Sequence, residues 1–289
     1  MSSVEELPEG TILVDISDSE FQSLSALVYQ QFGINLTDKK KALVRGRLNR
    51  VLRNRNLKTF REYLDLVQHD PTGLSLIELI DRISTNHTFF FREADHFTFL
   101  IEEVLPGLLQ QVARESATKE IRLWCAGCAT GEEAYTLAML CHDFAQSHGF
   151  AGTIKLLATD ISVTALEAAS KGQYNDERIR LIPETLKKKY LTKLSEDLWA
   201  INPVLKSMVL FKRLNFMDQS FPFKNRFHVI FCRNVMIYFD RPTKNDLVSR
   251  LSSCLYPGHY FFIGHSETLG RDSFDLDYVK PSVYKKRVP

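Results

Sequence analysis

Apolar positions in the first third of the chain recur at three- and four-residue spacing, the period of helices with one buried face. From near Ser19, the residues Phe21, Leu24, Leu27, Val28 and Phe32 mark one such face, and Gly33 is a natural stop. Thr37 or Asp38 can cap a second helix running through Lys39 to Arg55, with Val44, Leu48, Val51 and Leu52 inward. A third covers roughly Phe60 to Gln68 and is broken by Asp70-Pro71-Thr72-Gly73; a fourth runs from Ser75 to about Ile83. A further helix spans Asp95 to Leu109, and residues 1–15 read as a loosely held arm. From Ile121 the pattern changes to short apolar runs alternating with helical stretches, the signature of an α/β fold. The strand candidates are 121–125, 153–159, 208–214, 227–232, 259–264 and 282–286, with a final hairpin completing the sheet. The connection from Ser170 to Met208 is long for a simple crossover and predicts a small inserted subdomain.

The chemistry centres on Leu123-Trp124-Cys125-Ala126-Gly127-Cys128-Ala129-Thr130-Gly131-Glu132-Glu133. Here a strand runs into a small-residue turn and then a helix with Ala134, Leu137, Ala138 and Cys141 inward. Such a turn brings backbone close to a ligand at the carboxyl end of a sheet. Gly127 and Gly131 can take positive φ and leave room for that ligand. Two glutamates in the helix's first turn oppose a pyrophosphate and suit a small cation. GxxxG alone is a weak signal, but the strand Thr153 to Thr159 ends in Asp160, an acid placed to hold ribose hydroxyls. Together they favour a nucleoside ligand with no demand for phosphate, a description that S-adenosylmethionine fits. The segment Asn86 to Arg92 sets polar groups beside three phenylalanines, as ligand sites require; His87 reads as a surface or packing histidine. Arg233 and Asn234 follow the strand 227–232, with Tyr238 within reach of the same crevice.

Composition changes this picture little. A chain of 289 residues, 44% hydrophobic and 25% charged, is ordinary for a soluble globular protein. It holds no apolar run long enough for a transmembrane helix, and the polar, acidic Met1 to Glu9 does not suit a signal peptide. Five cysteines in such a chain argue against a disulfide framework. Cys125-x-x-Cys128 lacks the second ligand pair of a zinc site, so no metal is expected. Net charge is only +2, yet nine Lys or Arg and no acid lie between Lys39 and Lys58. Arg45, Arg47, Arg50 and Arg53 in that run read as contacts for an acidic protein surface or nucleic acid; the lack of aromatics on the helix lowers the second reading.

Four stretches together resemble the CheR family of bacterial chemoreceptor glutamate O-methyltransferases. They are Ser84-Thr85-Asn86-His87-Thr88-Phe89-Phe90-Phe91-Arg92-Glu93, Ala129-Thr130-Gly131-Glu132-Glu133, Ala158-Thr159-Asp160-Ile161 and Phe231-Cys232-Arg233-Asn234-Val235-Met236-Ile237-Tyr238-Phe239. The resemblance spans nearly the whole chain. It implies an all-α N-terminal domain over 1–84, then a Rossmann-like S-adenosylmethionine-dependent methyltransferase domain over 85–289 with a β subdomain insertion at about 170–208. Asn86, Thr88, Arg92, Glu133, Asp160, Asn215, Phe216, Cys232, Arg233 and Asn234 would form the cofactor pocket, with Arg92 and Tyr238 flanking the reacting centre. Phe216 stands where a Leu is often found, and His87 and Phe89 also depart from commoner versions. The basic helix 39–55 matches the receptor-facing helix, and the insertion matches a subdomain that in some members docks a C-terminal receptor peptide. A cytoplasmic enzyme acting on the cytoplasmic part of chemoreceptors is implied, with no nucleic acid and no membrane insertion.

An acceptor glutamate ionises near pH 4.3, so no general base is required and the absence of a Cys/His or Ser/His pair is no objection. The resemblance implies that Arg92 binds the cofactor carboxylate, Glu133 its ammonium and Asp160 its ribose, while Tyr238 positions the acceptor. Three alternatives stay open: a methyltransferase for another acceptor, a cofactor-sensing module without turnover, and a nicotinamide dehydrogenase. Arg233-Asn234-Val235-Met236 does not resemble the Asn/Asp-Pro-Pro-aromatic motif of base-directed methyltransferases, and the missing GxGxxG disfavours the dehydrogenase.

Overall fold

A computed structural model of the protein describes residues 13–115, 118–270 and 274–289. Helix α1 (Asp18–Phe32) opens on a capping box: Ser17 Oγ accepts the Glu20 N–H and the Glu20 carboxylate accepts the Ser17 N–H. It closes at Gly33, whose φ of 70° lets its N–H reach the Tyr29 carbonyl. Helix α2 (Lys41–Asn54) follows a 3₁₀ turn, Asp38–Lys40, and starts later than the sequence pattern indicated because the Thr37 side chain makes no capping bond. Helices α3 (Phe60–His69) and α4 (Leu74–Ile83) complete the group. Their inward stripes, including Leu24, Leu48, Tyr63 and Leu79, share one core. Residues 1–12 of the expected loose arm lie outside the described residues. Its last residues are held: the Val14 backbone exchanges bonds of 2.8 and 3.0 Å with the Asn49 amide, and Ile16 is buried.

The expected helix from Asp95 is longer and interrupted. Helix α5 (Ala94–Phe99) passes through one π turn, Leu100–Val104, into α6 (Leu105–Glu115). The π turn sits just before Pro106, whose ring lacks an N–H and crowds the carbonyl four residues back. Then come β1 (Glu120–Ala126), α7 (Glu132–Ser147), β2 (Thr153–Asp160) and α8 (Val163–Lys171). The insertion follows as β3 (Gln173–Tyr174), α9 (Asp176–Ile179), α10 (Glu184–Tyr190), β4 (Leu191–Ser195), β5 (Leu198–Ile201) and α11 (Pro203–Met208). Its strands form a separate antiparallel sheet in the order β3-β5-β4. The chain ends with β6 (Val209–Arg213), β7 (Phe227–Cys232), α12 (Arg241–Ser253), β8 (Leu255–Ile263), β9 (Leu276–Lys280) and β10 (Val283–Lys286).

The main sheet runs β6-β2-β1-β7-β8-β10-β9, parallel from β6 to β8, with β10 antiparallel to both neighbours. Every residue of β7 is buried, as expected of a central parallel strand covered on both faces. Chain order reverses between β1 and β7, so the crevice at their carboxyl ends is where such a sheet takes its ligand. The final hairpin is β9–β10. Strand β9 was absent from the strand candidates because it is an edge strand with Asp277, Tyr278 and Val279 exposed and one buried position, Leu276.

The helical domain is seated over that crevice. The Asn35 N–H donates to the Tyr238 carbonyl at 2.9 Å, Ile34 bridges Phe239, and Tyr29 donates to Asp240 at 2.8 Å. Asp81 accepts the N–H of Val163 at 2.9 Å at the start of α8. Arg47 is half-buried and its Nη1 donates to the carbonyls of Ile83 (2.7 Å) and Ser84 (3.2 Å), the orphan acceptors at the end of α4. Replacing it strands those carbonyls. Arg47→Ala is expected to lower stability by about 1–3 kcal/mol in urea denaturation, whereas Arg53→Glu, at an exposed position, leaves the midpoint within error.

Candidate active site

The crevice holds a cavity of about 1190 Å³, its open mouth included. The carboxyl ends of β1, β2 and β7 make its floor, and Phe32, Ile34, Leu36, Lys40 and Leu43 of the helical domain form its roof. Two N–H groups, from Gly127 and Cys128, donate to the Thr159 carbonyl at 2.7 and 2.9 Å and fold the turn back onto β2. Gly127 takes φ 90°, and a Cβ there would overlap Val235, so glycine is required on both counts. Trp124 Nε1 donates to Thr159 Oγ1 at 2.9 Å and braces the same junction from below.

Asp160 Oδ2 accepts the Ala129 N–H at 2.8 Å and Oδ1 accepts the Ser162 N–H at 2.9 Å. Burial pushes its pKa up, opposed by the N–H groups of Ser162, Ala129 and Ile161. Each oxygen keeps a further lone pair for a ligand hydroxyl.

The two glutamates after Gly131 have different surroundings. Glu132 is fully buried, accepts from Thr130 Oγ1 at 2.8 Å and is ion-paired with Arg178 of α9. Burial raises its pKa, with Arg178 and Thr130 pulling the other way. Glu133 lines the cavity instead, accepting from Cys125 Sγ at 3.1 Å and lying 3.1 Å from Arg233 Nε. The Arg233 side chain is fully buried, with its guanidinium 5.2 Å from the Phe97 ring centre and 5.9 Å from that of Phe231. It donates to the Arg92 carbonyl and sits 3.6 Å from Glu93. Cys232 is completely buried beneath the floor and burial pushes its thiol pKa well up; it is absent from the lining. All five cysteines are free.

Asn86, Thr88, Arg92, Asn215, Phe216, Asn234 and Tyr238 all line the cavity. Arg92 Nη1 donates to the His87 carbonyl at 3.0 Å, and its guanidinium lies 5.7 Å from the Phe89 ring centre; His87 is exposed. Asn215 is engaged in holding the two domains together, with Nδ2 donating to the Gln31 carbonyl at 2.8 Å and Oδ1 accepting from Met217 at 3.0 Å. Lys40 Nζ lies 4.8 Å from the centre of the Tyr238 ring at the cavity mouth; burial and Arg47 lower its pKa. Of the four arginines named for partner contacts, Arg50 and Arg53 are exposed, Arg45 pairs with Asp15 at 3.0 Å, and Arg47 turns to the end of α4.

Two acids that the sequence did not assign hold the site. Glu93, at φ 57°, accepts from Asn234 Nδ2 and the His265 N–H, both at 3.2 Å. Glu267 is buried and accepts three N–H groups: Asn234 (3.0 Å), Gly264 (2.7 Å) and Met236 (2.7 Å). Burial raises its pKa against those bonds. It thereby fixes Asn234 at φ 59°, a left-handed conformation that asparagine tolerates better than most. Glu93 ends the Phe-rich motif visible in the sequence, whereas Glu267 lies outside the quoted motifs, and Asn234, Met236 and His265 reach them from other loops.

The cavity fits an adenosyl amino acid: an acid on β2 for a ribose, a carboxylate on α7 for an amine, Arg92 for a carboxylate, and apolar walls at Phe216 and Val235. Two family models match the chain, "CheR methyltransferase, all-alpha domain" over residues 19–84 and "CheR methyltransferase, SAM binding domain" over 86–284. The chemotaxis protein methyltransferase of Borreliella burgdorferi is 45% identical over 94% of this chain and 96% of its own. A probable chemotaxis protein methyltransferase of Rhizobium etli is 34% identical over 90% of this chain and 96% of its own. Among solved structures, the N-methyltransferase NodS of Bradyrhizobium japonicum with S-adenosyl-L-homocysteine covers 56% of this chain and 61% of its own. Its TM-score of 0.31 and 16% identity are too low to bear on this site. The fold and site define a methyltransferase with S-adenosylmethionine as cofactor. The chain belongs to the CheR methyltransferase family.

Glu267→Ala leaves three N–H groups unpaired beneath the cavity. The expected result is at least about 2 kcal/mol lost in chemical denaturation, with S-adenosylhomocysteine affinity in calorimetry falling several-fold as Asn234 is released.

Proposed function

We propose that this enzyme methylates glutamate side chains on the cytoplasmic part of chemoreceptors, forming methyl esters. The observation that carries the reading is the cation at the cavity mouth: Lys40 over the Tyr238 ring, on the segment that leads into α2. A mouth of that charge suits an acceptor carboxylate, and the exposed Arg50 and Arg53 further along α2 suit the acidic helical surface around it. The names of the relatives, chemotaxis protein methyltransferases, support the same biology. Among the described residues no helix is long and apolar enough to cross a membrane, in keeping with an enzyme that works in the cytoplasm.

When bound, S-adenosylmethionine supplies an electrophilic methyl group on a positively charged sulfur. The chain's part is to bind, orient and dry the site. In this reading Asp160 accepts ribose hydroxyls, Glu133 meets the ammonium and Arg92 the carboxylate, with Asn86, Thr88, Asn215, Phe216, Arg233 and Asn234 completing the pocket and Cys232 packing beneath it. Tyr238 donates a hydrogen bond that aims the acceptor carboxylate. That carboxylate is already ionised at neutral pH, so no residue has to remove a proton. Residues 1–84 serve as the receptor-facing domain and 85–289 as the methyltransferase domain. The subdomain at about 170–208 is assigned to a C-terminal receptor peptide.

Receptor-containing membranes incubated with enzyme and S-adenosylmethionine labelled in the methyl group test this directly. Label on the receptor that mild alkali releases as methanol is expected, because carboxyl esters hydrolyse and N-methyl groups do not. Alkali-stable label would identify a different acceptor, and cofactor binding without transfer would identify a sensing module. Reversing charge at Arg50 and Arg53 together to Glu is expected to cut receptor methylation at least tenfold at physiological salt while calorimetric affinity for S-adenosylhomocysteine stays unchanged. An equal fall in both would make α2 a fold element rather than a docking face.

A further inference from the structure

Behind Arg233, three groups that can ligate a metal converge outside the residues assigned to cofactor and acceptor. Glu93, the left-handed residue that precedes α5, turns its carboxylate back toward His96 in the helix's first turn. His265, in the turn after β8, comes against them. One donor atom from each, a carboxylate oxygen and two imidazole nitrogens, lies within 4.8 Å of the others. His96 is fully buried, yet neither of its ring nitrogens has a hydrogen-bond partner. A buried imidazole left unpaired at both nitrogens calls for a water or an ion. Its Nδ1 lies 3.5 Å from Glu93 Oε2, and the two imidazole rings meet edge to face at 4.7 Å.

The surroundings have the character of a metal's outer shell. Asp95 Oδ1 lies 3.1 Å from His265 Nε2, so a carboxylate stands behind this imidazole and orients the ring. Glu93 and Glu133 flank the single guanidinium of Arg233, and Asp95 stands against His265, so carboxylates outnumber the cation they surround, an excess of negative charge that a dication balances. We infer that Glu93, His96 and His265 form a binding site for a divalent transition metal of the zinc class, with solvent at the fourth position. One oxygen and two nitrogen donors suit that ion. The donors must close to about 3.3 Å from one another around a tetrahedral ion; His265, half-exposed on its turn, is the one free to move. Because Glu93 also holds Asn234 and faces Arg233, occupancy of this site is coupled to the floor of the cofactor cavity.

The test uses the full chain without an affinity tag, stripped of metal by a chelator. Calorimetric titration with zinc is expected to show one site per chain, and cobalt in its place is expected to give the visible absorption of a tetrahedral complex. His265→Ala removes a ligand at an exposed position, and is expected to weaken zinc binding at least tenfold. With both proteins free of metal, its melting temperature and its affinity for S-adenosylhomocysteine are expected to match the wild type. His96→Asn is expected to weaken zinc equally if it folds; His265→Ala decides the matter if it does not. No saturable zinc binding, or binding that His265→Ala leaves intact because other surface histidines supply it, would overturn the site.

Discussion

The site depends on one buried guanidinium. Arg233 leaves the end of the central strand β7 and is enclosed by the rings of Phe97 and Phe231. Its charge is met by Glu133 from α7 and Glu93 from the segment before α5, and it also holds the Arg92 carbonyl. A guanidinium taken out of water recovers its desolvation cost only when carboxylates and hydrogen bonds meet it closely. Such a pair adds little net stability; here Nη2 makes the hydrogen bond, to the Arg92 carbonyl, while Nε and Nη1 make none, so Glu133 and Glu93 meet the charge by proximity. Three segments distant in sequence, the Phe-rich stretch, the glycine turn and the loop after β7, are thereby brought into register around one cavity. Glu267 does for the backbone of that loop what Arg233 does for its side chains.

The cavity is completed by the helical domain. Its roof residues and the bonds at Asn35, Tyr29 and Asp81 close the crevice from above. The same domain carries the basic run, and the two uses are divided along α2. Arg47 faces inward to the end of α4, while Arg50 and Arg53 face solvent. Under the proposed function, the start of α2 at Leu43 closes the cavity while Arg50 and Arg53 further along it offer charge to the receptor, which would bring docking close to the cavity mouth.

Much of this was legible in the sequence wherever local rules decide. Helical periodicity gave the four N-terminal helices, and Gly33 stopped the first as glycine at a helix end does. Gly127 and Gly131 take positive φ as their turn demanded. Where tertiary partners decide, the reading ran out. Glu132 and Glu133 are equivalent as neighbours in a first helical turn. Only Arg178, brought in by the inserted subdomain, takes Glu132 out of the cavity and leaves Glu133 in it. Glu93 closed a quoted motif with no assigned task and Glu267 lay outside the quoted motifs, because the Asn234, Met236 and His265 N–H groups that they accept belong to other loops. Thr37 had the chemistry of a cap but precedes a 3₁₀ turn without capping it, and β9 hid because an edge strand needs few apolar residues.

The central claim is that the crevice at the β1–β7 reversal, floored by the Arg233 network and roofed by the helical domain, is where the cofactor sits. A crystal structure with S-adenosylhomocysteine tests it most directly. The account predicts density for the ligand inside this cavity, its ribose on Asp160 and its amine on Glu133, with Arg233 still between Glu133 and Glu93. Density at another surface, or in this cavity with neither acid in contact, would contradict it.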